Sequence, residues 1–502
     1  MRITKFKLIQ RIVLILLFVS GGSLAVQSQE ALTLAKALNF AETSSPDLQL
    51  SLLNLERYQK NLEAQRAALK SRFSLEVNPI DYSNQRRFDT RVSEWYTNEN
   101  IQSNATFTVS QPILPTDGTI SLINDFGWRS SNSTLSTSQT QSEVFYNNLY
   151  LNLNQPLFTY NRLKIQLRQL ELNLENANIS YAMQRLNLER NVTQFFYNVY
   201  MAQMNLNISR EELANTQKSY DIIVNKVDAG LAAKEELYQA ELNLSTSKST
   251  VQNNEVSFEN AKDQLKLYLG MDLNEDIVIL ADVAANPVPV NLDLAIQNGL
   301  DSRMEIRQRE IDIENSQFSL IETKGLNEFK GAVNLRMGIT GDDPNLGQIF
   351  DQPTRSPSVS LSFNIPIFDW GEKKARIAAA EADIKSQELN ATEQQKQIVV
   401  DIRQVYRNLQ NQLNQIEIAK QNERNAQLTY EINLERYQNG DLTGMDLNLY
   451  QTQLSQNKIS YSQALINYKI ELLNMKIQSL YDFEKNERIL PAELYLSNEI
   501  KK

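Results

Sequence analysis

The chemical groups that this chain offers are carboxylates, amides, hydroxyls and amines, because the sequence contains no His and no Cys. This composition excludes imidazole and thiolate metal ligands, cysteine nucleophiles, disulfides and every catalytic triad that needs a His base. The sequence also lacks a Gly-rich phosphate loop and a serine nucleophile elbow. Its acidic residues are scattered along amphipathic stretches, as is typical of solvated helix faces. We therefore predict that the chain is not an enzyme and that it holds no metal and no cofactor.

The net charge of the chain indicates which macromolecules it is unsuited to bind. The chain has 60 acidic and 50 basic residues and a formal net charge of −10. A surface of this sign repels phosphate backbones, which argues against nucleic acid as a partner. The absence of Cys suits export through an oxidising periplasm.

The first 28 residues predict a secretory signal peptide. The apolar run Ile12–Val19 is too short to span a bilayer, and small residues around Ser23 and Ala25 suit cleavage. The basic start of the segment contains Arg2, Lys5, Lys7 and Arg11. The alternative is a single N-terminal membrane anchor. No later window approaches the roughly twenty apolar residues of a membrane helix.

Two parts of the chain repeat one another at a constant offset of 210 residues. The segment Leu153–Phe158 resembles Phe363–Phe368, and the same offset pairs Gly230 with Gly440. An offset that holds without gaps from a proline motif to a glycine turn favours duplication over chance similarity.

The repeat predicts a domain organisation in tandem. A first repeat at 29–285 and a second at 290–483 are followed by a polar C-terminal tail at 484–502. The predicted segments within the repeats are strands at about 73–158 and a long hairpin at 160–270, then strands at about 331–368 and a long hairpin at 371–482.

Each repeat contains a helix far longer than ordinary domains hold. The segments 160–227 and 372–439 contain no Pro and no Gly, and each would span roughly 100 Å as a helix. Gly230 and Gly440 follow them and are suited to the left-handed cap that ends a helix. A return helix of about forty residues follows each turn. Apolar residues spaced by three and four favour coiled-coil packing, so we predict two antiparallel helical hairpins.

Shorter helices are predicted before each group of strands, near 31–72 and near 292–328. Between these helices and the hairpins, the hydrophobic period changes from helical to two. The alternating stretches lie near 73–80, 104–113, 118–127, 145–158, 331–340 and 358–368.

Strands of about ten residues with one apolar side suit an outer-membrane barrel. A half-buried soluble sheet shows the same alternation and remains the alternative. The number of membrane strands per chain, four or six, also remains open. The polar tract 130–140 is predicted to be an outer loop.

One chain with four to six strands cannot close a pore. Unpaired strand edges are costly in lipid, and bacterial barrels start at about eight strands. Several copies must therefore share one barrel. The predicted fold class is mainly α with membrane β: two tandem repeats whose long helical hairpins form a periplasmic α-barrel and whose strands join a shared oligomeric outer-membrane β-barrel.

The order of helix, strands and long helical hairpin, present twice, resembles the TolC family of outer-membrane efflux proteins. The resemblance covers nearly all of the chain after the signal. The motifs that carry it are Leu34-x-x-Ala37-Leu38, Ser45-Pro46-Asp47-Leu48, the two proline motifs before the long helices, and the turns Ala229-Gly230-Leu231 and Asn439-Gly440-Asp441-Leu442. Each motif is weak alone, and their order and duplication make the resemblance specific.

The resemblance implies a homotrimer in the bacterial outer membrane that extends into the periplasm and conducts exported solutes. Four strands per chain would give a barrel of twelve. Its expected partners are outer-membrane lipid, a periplasmic adaptor protein and an inner-membrane pump.

The resemblance also implies an acidic gate at the periplasmic tip of the hairpins. The family pattern places an Asp six residues after the tip Gly, here Asp446, and the equivalent residue of the first hairpin is Glu236. Three copies of a carboxylate near one axis would repel each other and attract cations. The alternative for Asp446 is an ordinary exposed acid on a helix. A second family Asp, three residues further on, is Leu449 here, so the acidic gate is thinner.

Other tip residues are assigned from the same pattern. Tyr437 matches a family Tyr that helps to hold the closed state, although the position of its Arg partner is Leu442 in this chain. The residues predicted to form the hairpin turns and to contact the adaptor are Gly230, Leu231, Gly440 and Leu442.

Two interpretations without a pore remain possible from the residues alone. A periplasmic adaptor also joins a helical hairpin to β modules, but it usually carries one hairpin. A coiled-coil structural protein needs no strands of membrane length.

Overall fold

The computed structural model describes residues 31–90, 93–135, 138–281, 283–284 and 286–490. The predicted signal peptide and the segment 491–502 of the predicted tail lie outside these residues. The described residues form two compact units. The helical unit takes the residues up to Gln49 with Arg185–Val290 and Gln404–Ile477, and the sheet unit takes Leu50–Gln184, Asn291–Arg403 and the residues from Gln478 onward.

The order of elements follows the predicted duplication. The helices are α1 Leu34–Ser44, α2 Pro46–Ala68, α3 Arg162–Asp228, α4 Lys234–Leu269, α5 Leu292–Ser302, α6 Met304–Lys324, α7 Glu372–Asn439 and α8 Gly444–Ser479. The strands are β1 Arg72–Asp89, β2 Glu94–Ile113, β3 Gly118–Leu135, β4 Ser138–Leu157, β5 Lys330–Asp343, β6 Thr354–Arg355, β7 Ser358–Asn364, β8 Tyr481–Asp482 and β9 Glu487–Arg488.

The predicted long helices are present. α3 has 67 residues and α7 has 68, so each runs for roughly 100 Å at 1.5 Å per residue. α4 and α8, with 36 residues each, return from the two turns. None of the helices in the described ranges is both long and apolar enough to cross a membrane.

The single helices expected near 31–72 and 292–328 are each broken in two. Ser45 adopts an extended conformation between α1 and α2, because the residue before a proline, here Pro46, is driven out of the helical region. Arg303 is extended between α5 and α6, so these two helices are not continuous. Its guanidinium donates hydrogen bonds to Glu305 and Gln478.

The sheet is antiparallel throughout and joins both repeats. Its strand order is β1-β2-β3-β4-β5, and both β6 and β7 pair with β5. β4 and β5 connect the repeats through a register that runs from Phe145 opposite Asp343 to Leu157 opposite Gly331.

The expectation of an outer loop at 130–140 is wrong for most of that tract. β3 and β4 stay paired as far as Leu135 opposite Ser138. Ladder hydrogen bonds use backbone groups, so a strand can continue through polar Ser, Asn and Thr residues where no apolar face is needed. Within the predicted tail, β9 pairs with β8.

The buried seam of the helical unit follows the apolar spacing of its helices. Leu409 of α7 is buried and packs with Tyr468 and Leu472 of α8. The hydroxyl of Tyr468 accepts a hydrogen bond from the backbone N–H of Val288 at 2.9 Å. The linker between the repeats is thereby attached to the second hairpin.

Candidate functional sites at the hairpin tips and on the sheet

Both hairpin turns use a glycine in the left-handed conformation, as predicted. Gly230 has a φ of +73° and Gly440 a φ of +89°. In each turn the next residue donates a backbone hydrogen bond five residues back, which satisfies a carbonyl at the helix end. These bonds join Leu231 N to Lys226 O at 2.8 Å and Asp441 N to Arg436 O at 2.9 Å.

Asp446 lies in the first turn of α8 and is exposed. Its backbone N–H donates to Thr443 Oγ1 at 3.2 Å, and the Thr443 hydroxyl donates to Asp446 Oδ2 at 2.7 Å. This reciprocal pair caps the helix start. Glu236 holds the equivalent place in α4 and is also exposed, but the cap residue there is Ala233, whose side chain makes no capping bond.

Tyr437 is 1% exposed and lies between the two hairpins of one chain. Its ring belongs to a buried cluster with Ile223 of α3 and with Leu447 and Leu454 of α8, and Leu442 packs partly buried against this cluster. The placement makes Tyr437 a contact between the hairpins within a subunit.

The polar end of Tyr437 is also engaged. Its hydroxyl donates to the backbone carbonyl of Ser219 at 3.4 Å, and the ammonium of Lys226 lies 5.0 Å from the ring centroid. Burial raises the pKa of the Tyr437 phenol, and the negative charge of Glu236 raises it further. The phenol is therefore neutral at physiological pH.

A cavity of about 350 Å³ opens beside this ring, between the tips of the two hairpins. Glu236, Tyr437 and Thr443 are among its lining residues. The structure thus brings two of the predicted gate residues to one cavity. Asp446 is outside that lining, with its carboxylate bonded to Thr443.

Two tip residues with a structural role were missed by the sequence analysis. The spacing Thr443-x-x-Asp446 before an apolar helix is a capping signal that could have identified Thr443. No sequence signal marks Glu212. Burial raises the pKa of its carboxyl, and that burial depends on how the helices pack. The Gln451 amide donates to the backbone carbonyl of Glu212 at 2.9 Å, which adds a second polar link between the hairpins.

The sheet has one apolar face and one polar face. Strand residues that lie opposite one another share a face, so rows can be followed across five strands. One apolar row contains Phe73, Val109, Leu122, Leu151 and Met337. The next row, on the opposite face, contains Ser74, Thr108, Ile123, Tyr150 and Gly338 and is polar except at Ile123 and Gly338. A further row of that face, which is polar throughout, contains Glu76, Thr106, Asp125, Asn148 and Thr340.

Side chains of the polar face bond to one another. The Asp125 carboxylate accepts hydrogen bonds from the Asn104 amide and the Thr106 hydroxyl, both at 2.9 Å. The guanidinium of Arg336 lies 3.5 Å from the centroid of the Tyr150 ring. The apolar face is exposed instead, and Met337 keeps 67% of its surface. A sheet of this kind suits lipid on one side and water on the other.

The comparison with protein families covers more than half of the chain. Residues 119–271 and 332–476 match the model of a family described as "Outer membrane efflux protein". The two matched segments fall in the first and second repeats.

Individual relatives are distant. The chain is 24% identical over 197 residues to "Probable outer membrane lipoprotein SilC" of Salmonella typhimurium, which covers 39% of this chain and 42% of that protein. The chain therefore spans about two-fifths of the length of this curated relative.

Solved structures show the same fold. The CmeC outer membrane channel of Campylobacter jejuni aligns with a TM-score of 0.68 at 16% identity, covering 91% of this chain and 86% of that one. The outer membrane protein VceC of Vibrio cholerae aligns with a TM-score of 0.64 at 14% identity, covering 91% and 96%. The predicted fold class, two repeats with long helical hairpins and membrane strands, is confirmed.

Proposed function

Because the chain belongs to the outer membrane efflux protein family, we propose that it is the outer-membrane channel of a multi-component efflux or secretion system. It conducts solutes from the periplasm, or from a pump, to the exterior of the cell. The family and the fold are those of outer-membrane transport channels, and the bacterial outer membrane is the location that they indicate.

The observation that carries this proposal is the two-faced sheet with free edges. Its apolar rows are exposed, and its polar rows hold hydrogen-bonded and charged groups. A bilayer-spanning sheet must close on itself, because unpaired backbone groups are costly in lipid. Closure of this sheet requires sister subunits, and a homotrimer is the oligomer that the family resemblance favours.

The hairpins supply the periplasmic part of the pathway and the contacts with other components. Helices of 67 and 68 residues from each subunit would line a tunnel of about 100 Å. Leu231, which is 79% exposed at one turn, suits a periplasmic adaptor that links the channel to an inner-membrane pump. Leu442, which is half-buried at the other turn, is proposed to contact the same adaptor. Gly230 and Gly440 shape these turns.

Asp446 and Glu236 are proposed as the acidic residues of the tip gate, and Tyr437 as the residue that holds the closed arrangement of the hairpins. Three Asp446 carboxylates near the axis of a trimer would repel each other and attract cations. Both carboxylates are exposed, and that of Asp446 accepts a hydrogen bond from the neutral hydroxyl of Thr443.

Conductance of the purified oligomer in planar bilayers tests the proposal. We expect discrete channels that prefer cations, and we expect this preference to fall in Asp446→Asn. Thr443→Val is the matched control, since it removes the hydroxyl that caps the helix and bonds to Asp446 but leaves the carboxylate in place.

The two parts of the proposal have separate outcomes. A folded, inserted oligomer without discrete current steps at any voltage would overturn the channel function. An equal loss of cation preference in Thr443→Val would show that Asp446 acts through the helix cap and not as a charge in the pathway.

A further inference from the structure

The hairpin formed by β1 and β2 lies outside the segments that match the family. The first matched segment begins at residue 119, in β3, and β5 and β7 belong to the second. Four strands per chain, β3, β4, β5 and β7, would by themselves give the twelve-stranded trimer that the resemblance implies.

The extra hairpin nevertheless continues the sheet without a change of face. β2 pairs with β3 from Thr97 opposite Thr134 to Ile113 opposite Gly118. In β1, Leu75 lies in a row with Phe107, Asn124 and Leu149, which is apolar except at Asn124, while Glu76 shares the polar row of Asp125. A hairpin that served only as an outer appendage would have no reason to keep this alternation in register.

The exposure of β1 agrees with its position at the edge of the sheet. Phe73, Leu75 and Val77 keep 58–67% of their surface, although they form the most regular apolar alternation of the strand. Large apolar side chains in such a run need lipid or another protein surface to cover them.

Both outer edges of the sheet are unpaired within one chain. Among the described strands, β1 pairs only with β2, and β7 pairs only with β5. β1 has 18 residues, and its register shifts once, between Asn78 and Asp81. β7 has seven residues, Ser358–Asn364, as many as the segment Arg72–Asn78 that precedes this shift at the start of β1.

The strand directions also suit a seam between two copies. Every neighbouring pair from β1 through β5 to β7 is antiparallel, so the first and last of these six strands run in opposite directions. β1 of one subunit can therefore continue the antiparallel pattern beside β7 of the next.

We propose that β1 pairs with β7 of a second copy of this chain, so that each subunit contributes six strands to the shared barrel. This inference rests on the proposed channel function. A trimer would then close a barrel of eighteen strands, about 1.5 times as wide as one of twelve, since the diameter grows roughly linearly with strand number. The extra hairpin widens the membrane pore.

Cysteine labelling tests whether β1 lies in the membrane wall, and the absence of native Cys makes every signal specific. Leu75→Cys and Glu76→Cys are reconstituted separately in proteoliposomes and treated with a charged, membrane-impermeant thiol reagent. We expect Glu76→Cys to react more than about tenfold faster, because contact with lipid disfavours the thiolate at position 75. Equal rates would overturn the inference.

The pair Leu122→Cys and Ser121→Cys on β3 is the matched control, since these residues lie on the apolar and polar faces of a strand within the family match. If labelling rates differed between the two positions on β3 but not between those on β1, the six-strand barrel would be wrong while the channel function would stand. Loss of alternation on both strands would count against the channel itself.

Disulfide formation between subunits tests the seam. Leu75→Cys is combined in turn with Val359→Cys, Leu361→Cys and Phe363→Cys, because directly opposed strand residues are close enough for a disulfide. We expect one of these combinations to give covalent oligomers. Crosslinks from Leu122→Cys to the same β7 positions, with none from Leu75→Cys, would show that β3 forms the seam and would overturn the proposal.

Discussion

At the hairpin tip, the ring of Tyr437 fills the space between α3 and α8, while its hydroxyl reaches the Ser219 carbonyl only at 3.4 Å. A bond of that length is at the weak end of hydrogen bonding, whereas a fully buried aromatic ring contributes a large apolar surface. The ring should therefore hold the hairpins together more than the hydroxyl does.

Tyr437→Ala is expected to loosen the tip by about 3–5 kcal/mol, as is usual for truncation of a buried aromatic side chain. Tyr437→Phe should cost less than about 1.5 kcal/mol, the usual net contribution of one hydrogen bond. Hydrogen–deuterium exchange of the tip segments measures both changes locally, with the largely exposed Tyr238 changed to Ala as control. If Tyr437→Phe increased exchange as much as Tyr437→Ala, the hydroxyl would be the stronger contact.

The positions of the tip residues could be predicted from the sequence, but the residues that they contact could not. The repeat offset and the family pattern placed Tyr437 and Asp446 at the tip, because both depend on position along the chain. The partners Ser219 and Lys226 of Tyr437 come from the other repeat, 218 residues away in the case of Ser219. Such pairings depend on how two hairpins pack, which periodicity does not determine.

At the scale of elements, the two turn glycines lie in open space. A Cβ atom added to Gly230 or Gly440 would meet no atom within 4 Å. Substitution there has no steric cost beyond that of the backbone conformation itself. The cost to an L-residue in the left-handed region is about 1–2 kcal/mol.

Gly440→Ala and Gly230→Ala are each expected to destabilise the turn by about 1 kcal/mol. Gly347→Ala is the matched control, since a Cβ there also meets nothing and its φ is not in the left-handed region. Faster amide exchange at the ends of α3 and α7, but not in the control, is the expected result. No difference between the three variants would show that the turns relax into another conformation without cost.

An ion pair joins α3 to α6 in the sheet unit. The Arg307 guanidinium donates to both carboxylate oxygens of Glu175, at 2.6 Å and 3.1 Å. This hydrogen bonding, together with the positive charge, lowers the pKa of Glu175 below its ordinary value of 4.5. An acid with a depressed pKa stabilises the fold above its unfolded pKa, and that contribution is lost as the pH falls through the folded value.

Glu175→Gln should therefore lower the stability of the sheet unit at pH 7, and the difference from the unchanged chain should begin to shrink near pH 4.5 and vanish once the pH is below the lowered pKa of the folded state. Both side chains are more than a third exposed, so the effect should be at most about 1 kcal/mol. Apparent melting temperatures across this pH range check the sign. Glu393→Gln, in an exposed pair within one helix, serves as control and should change little at any pH.

The elements themselves were largely predictable, because their signals are local. The absence of Pro and Gly marked α3 and α7, and alternation marked the strands. The number of membrane strands was not predictable, since alternation assigns a face to each residue but no partner to each strand. The break at Arg303 was also missed, because no proline follows it and the side-chain partner Gln478 lies 175 residues away in the sequence.

For the whole molecule, the sheet explains why one chain is incomplete. Its apolar rows lie on the outside of the isolated subunit, and Leu151 keeps 43% of its surface although neighbours surround it within the sheet. Water is an unfavourable environment for such a face, and lipid is a favourable one. In the proposed channel, oligomer assembly and membrane insertion would be coupled, because only the closed barrel satisfies both the apolar face and the strand edges.

If assembly depends on lipid covering the apolar face, an arginine should have opposite effects on assembly at two adjacent residues of β4. Leu151→Arg places a charge on the apolar face and should cost about 2–4 kcal/mol per subunit near the bilayer midplane, so the assembled oligomer should be depleted from outer membranes. Asn152→Arg places the same charge on the polar face, opposite Ser121 and Arg336. Repulsion from Arg336 should cost at most about 1 kcal/mol, so this variant should still assemble, with a reduced cation preference. Native electrophoresis of extracted membranes measures assembly, and reversal potentials in bilayers measure selectivity. Equal tolerance of both arginines would mean that water reaches both faces, and the sheet would then lie outside the membrane.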